Sequence, residues 1–230
     1  MLSRDATASV LPRRGKGQTV QPLTVLITGF GPFPGARFNP TGALVAALMR
    51  RRPAFGGLRL IGHVFRTSYA TVDDELPALV AKHRPDVLLM FGLATRTKYL
   101  RIESCARNAR SPLLADASGA LPERRILPAG AAMLRGRAPL ARLLGTVRKA
   151  RVPVRISHNA GRYLCNYLYW RASEMIGPNA PRQVVFVHVP AVRSAPRPRI
   201  GSRQRGVGAA DLARAGEALL RALVAAAQLR

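Results

Sequence analysis

Val87-Leu88-Leu89-Met90-Phe91 is an unbroken apolar run, entered from Pro85-Asp86 and closed by Gly92. A strand with one wet face alternates apolar and polar residues. A continuous run of this kind belongs to a strand covered on both faces. A strand so covered needs helices above and below its sheet, and that requirement decides the fold.

The flanking sequence supplies both kinds of element. Leu23–Thr28 is a similar run ending at Gly29, and Leu58–Phe65, Val152–Ser157 and Val184–Val189 read as further strands, with a short one around Tyr99–Glu103. Asn39-Pro40 predicts a helix start, with Asn as N-cap and Pro in the first helical position, running to about Arg51 before Pro53. Thr71–His83 predicts a second helix, with Asp73, Asp74 and Glu75 in its first turn and a kink at Pro77. Pro139–Ala150, Arg162–Met175 and Ala209–Leu229 complete the set, and in the last Leu212, Leu219, Leu220 and Leu223 gather on one side. The pattern predicts an α/β fold: a single-domain three-layer sandwich, its sheet mostly parallel and twisted, with helices on both faces. Residues 1–22 are expected to be a disordered basic extension and residues 23–230 the folded domain. Residues 93–130 and 191–206 are expected to be largely loop.

Composition narrows the function. The 230-residue chain carries 37 Lys plus Arg against 11 Asp plus Glu, a net charge of +26. An apolar share of 48% can fill a real core, which excludes full-length disorder. Two cysteines, Cys105 and Cys165, exclude a disulfide scaffold. No apolar run reaches the ~18 residues of a membrane span. Arg4, Asp5, Arg13, Arg14 and Lys16 interrupt any signal-type stretch, so a cytoplasmic location is expected. The charge fits a phosphate binder. However, the arginines are scattered and no aromatic-rich strand motif accompanies them, so a nucleic-acid partner is left open but not favoured.

In such folds, sites form beyond the carboxyl ends of the strands. Gly29, Gly92, Ser157 and His188 are expected there. Gly29-Phe-Gly31-Pro-Phe-Pro-Gly35 has the wrong spacing for a dinucleotide turn, and Pro32 and Pro34 remove amide donors. A rigid loop presenting Phe30 and Phe33 is expected instead. Cys165 falls in the first turn of a helix entered through Gly161. There, backbone amides can favour a thiolate or hold an oxyanion, although such a cysteine can equally be a small core residue. A thiol nucleophile needs a base. His188, at the end of an apolar strand, is one candidate and His158 is a competitor. Glu103 can orient the imidazole or simply pair with Arg101 or Arg107. No Cys-x-x-Cys or His-Glu-x-x-His spacing occurs, so neither a metal nor a cofactor is expected.

Five stretches in order carry a resemblance: Leu26-Ile-Thr-Gly-Phe-Gly-Pro-Phe33, Asn39-Pro-Thr41, Pro85 to Ala94, Ile102-Glu103 with Asn108, and Ser157 to Asn166 followed by Val187-His-Val-Pro190. Together they resemble the pyroglutamyl peptidase I (pyrrolidone-carboxylate peptidase) family of cytoplasmic cysteine exopeptidases. The resemblance implies Cys165 as nucleophile, His188 as base and Glu103 as its orienting acid. It implies a substrate pocket lined by Phe30, Phe33, Leu93, Tyr163 and Leu164, and a peptide with a blocked N-terminus as partner. Homo-oligomerisation stays open.

Three stretches depart from the family pattern. Gly92-Leu-Ala-Thr-Arg-Thr97 lacks the family's Gly-Arg, Ser111 to Gly119 has Leu113 and Ala117 where the family has Arg and Asn, and arginine-rich sequence from Arg193 onward replaces the Pro-Glu-Gln usual after the histidine strand. These departures leave two alternatives: a cysteine hydrolase for a different N-blocked amide, or a weakly active member that binds anionic polymers.

Overall fold

The computed structural model describes residues 22–51, 57–122, 130–177, 181–192 and 206–229. The expected basic extension at 1–22 lies outside these residues apart from Pro22, and so does most of the expected loop at 191–206.

Eight strands and five helices follow one another along the described chain, alternating except for the run β3 to β6: β1 Leu23–Phe30, α1 Pro40–Arg50, β2 Leu58–Phe65, α2 Tyr69–His83, β3 Val87–Leu93, β4 Leu100–Glu103, β5 Ala106–Arg107, β6 Met133–Leu134, α3 Leu140–Lys149, β7 Val154–Ser157, α4 Leu164–Glu174, β8 Gln183–Val189 and α5 Ala209–Gln228. Six of the strands form one sheet in the order β2-β1-β3-β8-β4-β7. β1 runs parallel to β2 and to β3, and β3 runs parallel to β8. The apolar run behaves as its composition requires. Val87, Leu89 and Phe91 enter one core with Leu44 and Leu48 of α1, Leu143 of α3 and Leu219 and Leu223 of α5. Leu88 and Met90 enter the other with Val72 and Leu76 of α2 and Leu168 and Trp170 of α4. Burial of both faces favours the strand by roughly 25 cal/mol for each Å² of apolar surface removed from water.

Three expectations need correction. First, β4 runs antiparallel to β8, and β7 runs parallel to β4. Ser157 ends β7 as expected, but β7 points the other way from β8: Ser157 pairs with Glu103 level with Phe186, two residues along the sheet from His188, and its side chain hydrogen-bonds the Glu103 carboxylate. Second, α2 starts at Tyr69, so its first turn holds no acidic residue. Its start is capped from a distance: buried Asp116 accepts the Tyr69 N–H at 3.0 Å, together with the N–H groups of Ser118 and Ala120. Asp73 instead accepts the Tyr167 hydroxyl at 2.7 Å and pairs with Arg171, tying α2 to α4. Third, α4 starts at Leu164 rather than Arg162, because Gly161 takes φ +86° and Tyr163 is still extended. The short pair β5–β6 was not expected; strands of two residues leave no periodicity to read.

Candidate active site

The site assembles where β1, β3 and β8 end and α4 begins. Asn39 caps α1 as expected, its side chain accepting from Thr41 N–H. The same cap residues hold the 29–35 loop. Phe30 N–H donates to Thr41 Oγ1 at 2.9 Å, Gly31 N–H to the Phe65 carbonyl at 2.9 Å, and Asn39 Nδ2 to the Gly31 carbonyl at 3.0 Å. Amides that a phosphate would need are thus already used, and the loop is a rigid mount for its aromatics. Phe30 is buried beside Phe65, and the Phe33 ring lies 5.9 Å from that of Tyr163. The Tyr163 hydroxyl donates to the Ala115 carbonyl at 2.8 Å, which attaches this aromatic wall to the loop pinned by Asp116.

A cavity of about 600 Å³ opens here, and Phe30, Phe33, Leu93, Tyr163, Leu164, Cys165 and His188 all line it. That size suits a small-molecule or peptide-end site. Cys165 is the second residue of α4, and no side chain caps that helix start, so its first amides remain for a ligand.

Gly92 explains how sulfur and imidazole come together. It pairs with His188 across β3 and β8. A Cβ at Gly92 would stand 2.7 Å from Cys165 Sγ and 2.6 Å from Phe186 Cζ. The thiol therefore rests on the bare backbone of the residue facing His188.

His188 Nδ1 lies 2.7 Å from Glu103 Oε1, both groups almost fully buried. An ionised carboxylate only accepts, so Nδ1 carries the proton and Nε2 is left as the acceptor. Burial alone would raise the Glu103 carboxyl. The hydrogen bond and charge of His188, then the Ser157 hydrogen bond and the charge of Arg101, outweigh burial and hold it below the usual carboxylate range. Burial lowers His188, with Glu103 opposing the shift. Burial also pushes the Cys165 thiol up to about 12, Glu103 adding to the rise and Arg101 working against it. The resting state is accordingly a neutral thiol and a neutral imidazole beside a carboxylate.

Arg101 is the site residue that sequence reading reduced to a salt-bridge partner. It does pair with Glu103 at 3.1 Å, yet it also sits 3.2 Å from His188 Nδ1 and lines the cavity. The signal was available, because residues two apart on a strand share a face. Other candidates fall away. His158 is exposed, with Nδ1 2.6 Å from Ser104 Oγ, and does not line the cavity. Cys105 is buried against the His158 carbonyl, a structural thiol as one reading expected. Among the described residues, no helix is long and apolar enough to cross a membrane.

Comparison with known proteins points to one family. Residues 23–229 match the profile of the family described as pyroglutamyl peptidase. The chain is 32% identical over 168 residues to a pyrrolidone-carboxylate peptidase of Vibrio vulnificus, covering 72% of this chain and 77% of that one. It is 29% identical over 170 residues to the pyrrolidone-carboxylate peptidase of Thermococcus kodakarensis, covering 73% and 81%. Among solved structures, pyrrolidone carboxyl peptidase from Thermococcus litoralis superposes with a TM-score of 0.79 at 24% identity, over 90% of this chain and 96% of that one. Pyroglutamyl peptidase I of Bacillus amyloliquefaciens superposes with a TM-score of 0.73 at 26% identity, over 90% and 97%.

Proposed function

Because the chain belongs to the pyroglutamyl peptidase family, we propose that Cys165, His188 and Glu103 are the nucleophile, general base and orienting carboxylate with which it removes an N-terminal pyroglutamyl residue from peptides. The protein is a cysteine peptidase of the pyroglutamyl-peptidase type, and its substrates are peptides. The observation that carries the assignment of roles is the buried Glu103–His188 hydrogen bond beside a thiol seated on Gly92.

In this mechanism the lactam ring enters the apolar end of the cavity, among Phe30, Phe33, Leu93, Tyr163 and Leu164. His188 Nε2 takes the thiol proton as Cys165 Sγ bonds to the pyroglutamyl carbonyl carbon. Glu103 keeps the ring in the useful tautomer and stabilises the imidazolium that forms. The carbonyl oxygen becomes an oxyanion facing the free amides at the start of α4, where one such donor typically contributes roughly 3–4 kcal/mol. The carbon–nitrogen bond then breaks, and the His188 proton passes to the leaving amine. Water, deprotonated by the same imidazole, cleaves the thioester and restores the thiol.

The direct test of function is turnover of a pyroglutamyl-linked fluorogenic amide alongside the matched prolyl amide, whose ring carries a basic amine in place of the neutral lactam. Release from the first and not from the second is expected. Release from neither removes the reading.

Two further results are expected. Gly92→Ala places a methyl group against Cys165 Sγ and the Phe186 ring. It should lower stability by about 1–3 kcal/mol in calorimetry and cut kcat/KM by on the order of 10²-fold or more, because the thiol is displaced from its base. The pH dependence follows from burial. His188 must be neutral to accept the proton and is lowered from 6.5, so kcat/KM should rise on one acid limb centred below that value. With the thiol near 12, activity should then stay level into the alkaline range rather than fall in a bell. Stability should fall in the same direction. Glu103 and His188 are both depressed in the fold, so each stabilises above its unfolded value and loses that contribution as pH drops through its folded one. Unfolding midpoints that rise on acidification from pH 7 to 4 would contradict this.

A further inference from the structure

The charged groups lining the cavity are distributed unevenly. Arg96, Arg101 and Arg162 line it, and no carboxylate does. Arg101 is committed to Glu103 and His188. Arg96 and Arg162 are exposed, and neither forms an ion pair with another described residue. Arg96 stands in the turn after β3, held by the Thr97 N–H to Ala94 carbonyl bond, and Arg162 lies in the turn before α4. The nucleophile's two flanking turns thus each project an uncommitted guanidinium at the solvent side of the cavity.

The topology of the reaction fixes what passes there. The small acyl group takes the apolar interior, so the rest of the peptide, of whatever length, must leave through the exposed side. We propose that Arg96 and Arg162 select peptides carrying Asp or Glu in the first positions after the pyroglutamyl residue. This inference rests on the pyroglutamyl peptidase reading above. A guanidinium binds a carboxylate through paired hydrogen bonds and repels a lysine placed at the same point. The discrimination appears in encounter and in KM more than in the chemical step, because these groups lie away from the scissile bond.

The experiment compares three C-terminally amidated peptides of one length, with Glu, Ala or Lys directly after pyroglutamate. At low ionic strength, the Glu to Lys ratio of kcat/KM should be on the order of tenfold and should shrink to roughly twofold in half-molar salt. Arg96→Gln and Arg162→Gln should each reduce the ratio several-fold. Arg148→Gln, an equal charge change on α3 across the sheet, should leave it unaltered. A ratio near one, a preference for Lys, or an equal response to Arg148→Gln overturns the proposal, the last by assigning the effect to net charge alone. Cleavage of the Ala peptide without charge preference rejects selection while leaving the peptidase reading intact. Cleavage of none of the three rejects both.

Discussion

Cys165→Ala is expected to lower kcat/KM on a pyroglutamyl amide by about 10⁴-fold or more while leaving the fold in place. The sulfur packs over the bare backbone of Gly92, and a methyl group in its place removes no ion pair among the described residues and no cap of α4. Loss of one sulfur should therefore shift the unfolding midpoint by only about 2–4 °C. The catalytic loss is larger because the other parts of the site cannot substitute for a nucleophile. The free amides of α4 and the aromatic pocket still bind, and what survives is the modest acceleration that such groups give alone. Cys165→Ser separates size from chemistry. The hydroxyl fits over Gly92, but it is a poorer nucleophile and its proton is harder for a lowered imidazole to remove, so it should remain severely impaired. Near-normal turnover by either variant would refute the assignment.

Glu103→Gln should cost roughly 10³–10⁴-fold in kcat/KM, for two reasons that act together. The amide can present either oxygen or NH₂ to His188 Nδ1, so the tautomer with a free Nε2 is no longer enforced. Removing the carboxylate also exposes the imidazole to Arg101, whose guanidinium stands 3.2 Å from Nδ1 with its anionic partner gone. The imidazolium formed during proton transfer then faces a cation. The acid limb of the pH profile should move lower, because the protonated ring has lost its stabilising charge. That shift distinguishes positioning from mere structural support. Arg101→Gln in the same background should recover part of the loss, as expected of groups coupled through one ring. An unmoved acid limb would reduce Glu103 to a buried structural carboxylate.

Some of this architecture was legible without coordinates. The Val87–Phe91 run announced a strand covered on both faces, and alternating periodicities supplied the layers. Asn39-Pro40 and Gly161 marked helix entries because their signals are local: a short acceptor side chain, a fixed φ, a residue tolerant of positive φ. The failures had non-local causes. α2 begins earlier than its acidic residues suggest because Asp116, far along the chain, supplies the missing acceptor. The reversal of β4 left no trace in composition, since a buried strand reads alike in both directions.

The site shows the same division. Cys165, His188, Glu103 and the five pocket residues could be picked by residue type at element ends and by family resemblance, and the fold brings all eight together. Arg101 was discounted because pairing with Glu103 looked a sufficient account of it. Gly92 was noted only as a strand end. Its reason for lacking a side chain is the sulfur of a residue over seventy positions away, and only packing reveals that.

The central claim is that Cys165 attacks the pyroglutamyl carbonyl. It is tested most directly by acid-quenching the enzyme during turnover of a pyroglutamyl amide and mapping the acyl group by mass spectrometry. The mechanism predicts one pyroglutamyl group, labile to hydroxylamine, on the peptide containing Cys165, and none in Cys165→Ala. An acyl group on Cys105 or on no cysteine, or turnover that persists in Cys165→Ala, would contradict it.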